Sequence, residues 1–284
     1  MHVLIAGCGW LGTAVARALL ARGDRVTGVR SDAARAEALR PLGIEPLCLE
    51  LSDPAAGATL PRDLEAIVAC QSAGGEGEAP YRRAYLEANR TLLSAARTRP
   101  VRAFVYTGST GLFGQRDGSD VDESTPPAPA TASGRILAEA EARLLEAAAQ
   151  GQPVRIVRLS GLYGPGRTWM IDRVRSGLFA QGAGDEAWMN ACHQDDAAAA
   201  VLAALDRGRT GGVYHGTDAE PMRRREVVAF VAGRLGIPPP QAARSAPADG
   251  PNRRILGERT RAELGFALRW PSLREGLGAF LPPG

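Results

Sequence analysis

Gly7, Gly9 and Gly12, spaced Gly-x-Gly-x-x-Gly in Ala6-Gly7-Cys8-Gly9-Trp10-Leu11-Gly12, have the spacing with which a backbone holds phosphate oxygens. The flanks give that spacing its meaning. Val3 to Ala6 is an apolar run suited to a buried parallel strand, and Trp10, Leu11, Ala14, Val15, Ala18 and Leu19 recur at helical intervals after it. In a loop from strand to helix, Gly7 permits the tight turn, Gly9 lets a pyrophosphate approach the backbone, and Gly12 lets helix and strand pack closely. The N–H groups around Trp10 and Leu11 at the helix start then face the phosphates. A dinucleotide cofactor is the expectation.

The residue after the second strand selects which dinucleotide. Residues 25–29, Arg-Val-Thr-Gly-Val, read as that strand, and where an NAD site places an acid on the ribose hydroxyls this chain has Arg30, then Ser31. Arg30 and Ser31, with Arg35 one turn into the next helix, suit charge-assisted hydrogen bonds to a 2'-phosphate, which an acid would repel. NADP(H) is therefore expected over NAD(H). The competing reading is a solvated arginine in an arginine-rich chain.

Composition removes other chemistries. All 34 residues counted as Lys+Arg are arginine, so no mechanism can use a lysine amine. The net charge is only +3 and the basic residues are dispersed, which argues against nucleic acid; the one run, Arg223-Arg224-Arg225, sits at the start of an expected helix as a solvated face. Four scattered cysteines and three scattered histidines suggest neither metal site nor disulfide. No leader or membrane span is expected, and the protein is read as cytoplasmic.

The elements that must position these residues alternate. Strands are expected at 44–49, 65–70, 102–107 and 154–159 and helices at 32–40, 80–96 and 132–149. That rhythm gives an α/β, Rossmann-type, doubly wound parallel sheet over 1–160, with cofactor and substrate at the carboxyl ends of the strands. From Gly161 short helical pieces dominate, the pattern of a smaller substrate-covering lobe over 161–284. Its apolar helix 193–206 is expected to pack back on the sheet. Residues 241–252 read as a loop.

Taken in order, the segments resemble the extended short-chain dehydrogenase/reductase family, the NAD(P)-dependent epimerases and dehydratases, and most closely its atypical members of the YeeZ-like kind. Besides the glycine loop, the resemblance rests on Leu49-Glu50-Leu51-Ser52-Asp53, Asn89, the run 104–114 (Phe-Val-Tyr-Thr-Gly-Ser-Thr-Gly-Leu-Phe-Gly) and 121–126 (Val-Asp-Glu-Ser-Thr-Pro). It continues through 158–167 (Arg-Leu-Ser-Gly-Leu-Tyr-Gly-Pro-Gly-Arg) and His193-Gln194-Asp195-Asp196. It implies that Leu51 lies by the adenine, that Ala69, Cys70 and Gln71 line the cofactor's central part, and that Ser109 is the active-site serine. Tyr163, Arg167, Asn190 and His193 would surround a small-molecule substrate, with structural loop roles left open for Tyr163, Asn190 and His193. It also implies a homodimer through helices 80–96 and 132–149, where Tyr81, Tyr85, Leu92 and Leu93 are equally readable as monomer core.

The family's Tyr-x-x-x-Lys motif is absent. Its positions hold Ser133 and Leu137, and no tyrosine stands between Tyr106 and Tyr163. Hydride transfer does not itself need that tyrosine, so Ser109 and Ser133 donating hydrogen bonds to developing charge, with Arg135 holding the ribose, would leave an oxidoreductase with a non-standard site. The alternatives are an NADP(H)-binding sensor without turnover and a nucleotide-sugar epimerase or dehydratase.

Overall fold

Seven short strands form one parallel sheet: β1 (His2–Ala6), β2 (Arg25–Arg30), β3 (Glu45–Cys48), β4 (Ala66–Ala69), β5 (Ala103–Ser109), β6 (Val154–Leu159) and β7 (Gly212–Gly216). The computed structural model describes residues 1–75, 77–179, 185–241 and 250–283; most of the expected 241–252 loop, residues 242–249, lies outside them. The strand order is β7-β6-β5-β4-β1-β2-β3. β1 is buried along its whole length between β2 and β4, with His2 opposite Arg25 and Val3 opposite Ala66. The chain therefore reverses its march across the sheet at the β1/β4 step, the place at the carboxyl ends where open sheets of this kind bind ligands. β7 is a strand that sequence periodicity did not anticipate. It is short and at the sheet edge, and its Tyr214-His215 pair interrupts the apolar run that marks inner strands.

Two compact units divide the chain. The first comprises Met1–Phe113, Pro129–Arg158 and Ala198–Tyr214, the second Gly114–Ala128, Leu159–Ala197 and His215–Gly284, a division more interleaved than a cut after residue 160.

In the first unit, α1 (Trp10–Ala21) turns Leu11, Val15, Ala16 and Leu19 inward, as their spacing requires. α2 (Ala33–Glu37) stops short of the expected 32–40, because Pro41 has no N–H to give the Glu37 carbonyl; a 3-10 turn, Arg40–Leu42, follows. The expected 80–96 helix is three pieces: an α turn at Glu78–Tyr81, a π-helical stretch at Arg82–Glu87, and α3 (Ala88–Ala96). Its widened turn coincides with the Asn89 side chain, which donates 2.8 Å to the Tyr85 carbonyl within the helix. α4 (Ala132–Ala149) matches expectation and starts at Thr131, whose hydroxyl accepts from Gly134 N–H at 3.0 Å.

Leu4, Ile67, Phe104 and Ile156 from the strands and Leu92 and Leu144 from the helices share one core. Leu92 is thus core. Tyr85 and Leu93 are only part-buried and, with Leu86, Arg97 and Arg143, line a groove of about 430 Å³ between the two long helices.

The second unit holds short strand pairs, Gly161–Tyr163 with Ala191–His193, Trp188–Met189 with Met222–Arg223, and Asp120–Val121 with Arg254–Ile255. Its helices are α5 (Trp169–Arg175), the start of α6 (Gln194–Arg207), α7 (Arg224–Leu235), α8 (Glu258–Leu264) and α9 (Leu273–Gly278). From Ala198 onward α6 belongs to the first unit. There Arg155 of β6 donates to the carbonyls of Leu205 (3.2 Å) and Gly208 (2.5 Å) and holds the helix end. Among the described residues no helix is long and apolar enough to cross a membrane, and no cluster of His, Cys, Asp and Glu is set to hold a metal.

Candidate functional site

The glycine loop is a cradle that side chains would fill. Gly7 has φ +78°, and a Cβ on it would lie 2.5 Å from Gln71 N and 2.9 Å from Cys70 C. A Cβ on Gly12 would lie 2.7 Å from the Gly7 carbonyl and 2.9 Å from Ile5 Cγ2. Gly9 is the N-cap of α1 and brings no side chain to the first amides, so the start of the helix presents backbone N–H groups toward the loop, where phosphate oxygens bind in such folds. These features fit a dinucleotide pyrophosphate.

Arg30 leaves β2 with its guanidinium across this loop. Its Nη1 donates 3.1 Å to the Cys8 carbonyl, and a Cβ on Gly9 would come within 3.0 Å of it. Ser31, the next residue, and Arg35 in α2 are both exposed. Asp32 faces α2, where its carboxylate accepts from Arg35 N–H at 2.8 Å and caps the helix. The one acid next to Arg30 and Ser31 is therefore engaged away from them.

The exit of β4 lies on the other side of β1. Leu51 (6% exposed) and Ala69 (0%) are core residues, so Ala69 can meet a ligand only through its backbone, and its carbonyl already accepts from Thr107 Oγ1 at 3.1 Å. Burial pushes the Cys70 thiol up to about 12, which makes it a poor nucleophile. Gln71 Nε2 donates 2.7 Å to Asn89 Oδ1, and Gln71 Oε1 is buried with no hydrogen-bond partner among the described residues.

Ser109 ends β5 and accepts from Gly111 N–H at 3.0 Å, which leaves its hydroxyl proton available. Ser133 Oγ is 3.2 Å from Thr131 Oγ1. The turn carrying Ser109 approaches the start of α4 closely, because a Cβ on Gly134 would stand 3.2 Å from the Gly111 carbonyl. Leu137, at the lysine position, is buried at 7% exposure. Arg135 is exposed and two residues from Leu137, about 200° around the helix, so the structure does not bring it onto the Ser133–Leu137 face.

One turn further, Glu141 Oε2 accepts from Arg158 Nε (2.9 Å) and Nη2 (2.8 Å) in a buried ion pair. Burial raises the Glu141 carboxyl while Arg158 opposes the rise. This pair, which ties α4 to β6, was not found as a pair by sequence reasoning, because its members are 17 positions apart.

In the second unit Tyr163 is fully buried in a core with Met170, Val227 and Leu277. Its ring packs against α9, where a Cβ on Gly276 would meet Tyr163 Cζ at 2.7 Å. The Asn190 amide is spent on backbone, donating to the Arg253 carbonyl (2.9 Å) and accepting from Ile255 N–H (2.7 Å). His193 is 2% exposed; its Nδ1 accepts from Asp195 N–H at 3.1 Å, which fixes the loop before α6, and burial lowers its affinity for a proton. Arg167 alone of the four is exposed, in a turn closed by its N–H to the Gly164 carbonyl at 2.9 Å.

Asp218 was not anticipated. Its carboxyl is 4% exposed, and burial pushes it up to about 8 from 3.8. A carboxyl held protonated only in the folded state makes stability fall as pH rises from about 4 to about 8, by up to about 1.4 kcal/mol per unit, and level off above. Urea unfolding of wild type and Asp218→Asn across this range should show that component of the slope only in wild type; equal slopes would contradict the assignment.

Known proteins were compared with this architecture. Residues 3–215 match the model of the NAD dependent epimerase/dehydratase family. Over 276 residues the chain is 34% identical to protein YeeZ of Escherichia coli, covering 95% of this chain and 96% of that one. It is 29% identical over 256 residues to the 4-hydroxy-2-methyl-3-oxo-4-farnesyl-3,4-dihydroquinoline-1-oxide ketoreductase of Stigmatella aurantiaca, covering 84% and 76% respectively. A solved structure from Methylobacillus flagellatus, assigned as an NAD-dependent epimerase/dehydratase, superposes with a TM-score of 0.79 at 32% identity over 98% of this chain and 96% of that one. The Rossmann sheet, the glycine cradle and these matches together place the chain in the NAD-dependent epimerase/dehydratase family.

Proposed function

We propose that the protein binds NADP(H) and reduces a small molecule by hydride transfer at a site that lacks the usual tyrosine and lysine. The single observation that carries the reading is the close approach of the Ser109 turn to the start of α4, permitted by Gly134, at the carboxyl end of β5. Ser109 stands two residues before Gly111 and Ser133 one before Gly134, the two positions that approach. Arg30 across the glycine loop supports the phosphorylated cofactor, and the similarity to a ketoreductase supports reduction over epimerisation.

When bound, the cofactor supplies the hydride. Ser109 and Ser133 donate hydrogen bonds to the oxygen or nitrogen on which negative charge develops, and water supplies the proton. A serine hydroxyl is a far weaker acid than a phenol, whose pKa is about 10, so neither serine acts as the proton donor. The acceptor must therefore arrive already polarised, as an iminium or a conjugated carbonyl does. Arg30 and the first amides of α1 hold the phosphates.

Fluorescence titration with NADPH and NADH, followed by a panel of ketones, imines and enones, tests this. NADPH should bind more tightly and be oxidised by polarised acceptors in preference to plain ketones, and Ser109→Ala should slow that oxidation by roughly 100-fold. NADPH bound but never oxidised across the panel would make the protein a sensor.

A further inference from the structure

Gln71 holds an acceptor that no described residue uses. The orientation of its amide is dictated by a chain of partners. The Tyr85 carbonyl, in the π-helical stretch, can only accept, so Asn89 presents Nδ2 to it at 2.8 Å and turns Oδ1 toward Gln71. Gln71 must then present Nε2, which it does at 2.7 Å. Asn89 is 3% exposed, so the arrangement is locked from below. What remains is Gln71 Oε1, buried and without a hydrogen-bond partner, an expensive state for a carbonyl oxygen.

The position of Gln71 says what it is for. Its backbone abuts Gly7, so it stands beside the phosphate cradle, at the exit of β4 and hence at the step where the strand order reverses. Arg30 stands at the end of β2, on the other side of β1. If Arg30 takes the 2'-phosphate, the adenosine half lies on the β2 side and the other half of the dinucleotide extends over the exit of β4. An acceptor there cannot serve the pyrophosphate, which has only acceptors of its own. It can serve a hydroxyl, and the first hydroxyls beyond the pyrophosphate belong to the ribose of the nicotinamide side.

We propose that Gln71 Oε1 accepts a hydrogen bond from a hydroxyl of the nicotinamide-side ribose, with Asn89 and the Tyr85 carbonyl holding the amide in place. The assignment rests on the NADP(H) reading. In a chain with no lysine it provides a ribose contact that carries no charge and does not titrate. The sequence signal was a polar residue two positions after the buried strand Ala66–Ala69, unremarkable until the partner of its amide is known.

The test compares three probes on wild type and Gln71→Met, which keeps the side-chain volume: NADPH, 2'-phospho-ADP-ribose, which has the ribose without the nicotinamide, and 2',5'-ADP, which has neither. Dissociation constants from titration calorimetry are the readout, with thermal melting to verify the fold and Gln71→Ala as a second variant. Both variants should bind NADPH and 2'-phospho-ADP-ribose about tenfold more weakly and 2',5'-ADP unchanged. Equal weakening of all three would make Gln71 merely structural, no weakening would leave Oε1 without this role, and weakening of NADPH alone would move the contact to the nicotinamide; each overturns the proposal. Wild type that binds none of the three would instead remove the NADP(H) reading, and this assignment with it.

Discussion

Arg30→Asp binds NADPH about a hundredfold more weakly than wild type and NADH within a few-fold of it, reversing the preference between the two. The guanidinium sits across the phosphate loop, held by the Cys8 carbonyl at 3.1 Å, so it is already oriented before any ligand arrives. Charge-assisted hydrogen bonds to a phosphate contribute about 1.5–3 kcal/mol, and a carboxylate in their place adds repulsion, so about 3 kcal/mol, a hundredfold, is the expected loss. The aspartate would also bond the free ribose hydroxyls of NADH, which sustains that affinity. Raised salt should shrink the wild-type preference, because the site is open to solvent. An unchanged NADPH affinity would show that Arg30 is only a solvated arginine tethered to Cys8.

Gly7→Ala abolishes dinucleotide binding and lowers the melting temperature by roughly 6–12 °C. Two costs add. At φ +78° an alanine is strained by about 1–2 kcal/mol, and its Cβ would stand 2.5 Å from Gln71 N and 2.9 Å from Cys70 C, backbone atoms that cannot swing aside. Together about 3 kcal/mol is expected, which in a chain of this size corresponds to that shift. The strand exit that must move is the one carrying Gln71, so the cradle opens as the chain loosens. Gly23→Ala is the control: φ is +86° but nothing lies within 4 Å, so it should cost about 1 kcal/mol and leave binding intact. If the two variants melt and bind alike, the close packing of Gly7 on the exit of β4 is wrong.

Much of the first unit was legible along the sequence. α4 and β6 have the boundaries that their spacing predicts, because each is one long period of apolar residues with its own start and stop signals. The departures are local. Pro41 cut α2 short, the helix before α3 widens where the Asn89 side chain bonds to the Tyr85 carbonyl, and β7 is too short and too polar to announce itself. In the second unit the resemblance pointed at Tyr163 and Asn190 by position, and the structure turns one into core and ties the other to backbone.

Whatever depends on covalent content and near neighbours was therefore settled by the sequence. A Gly-x-Gly-x-x-Gly between strand and helix, Arg30 where NAD sites carry an acid, Ser133 and Leu137 where tyrosine and lysine belong, and the absence of lysine all stand regardless of packing. Burial and hydrogen-bond satisfaction were decided only in three dimensions, because they are set by residues far apart in the chain. Gln71 is left with an unused acceptor by Asn89, 18 positions away, and the Asn190 amide is consumed by backbone 63 and 65 positions away. No periodicity records such pairs, since periodicity reports which face of an element is buried, never which distant group meets it.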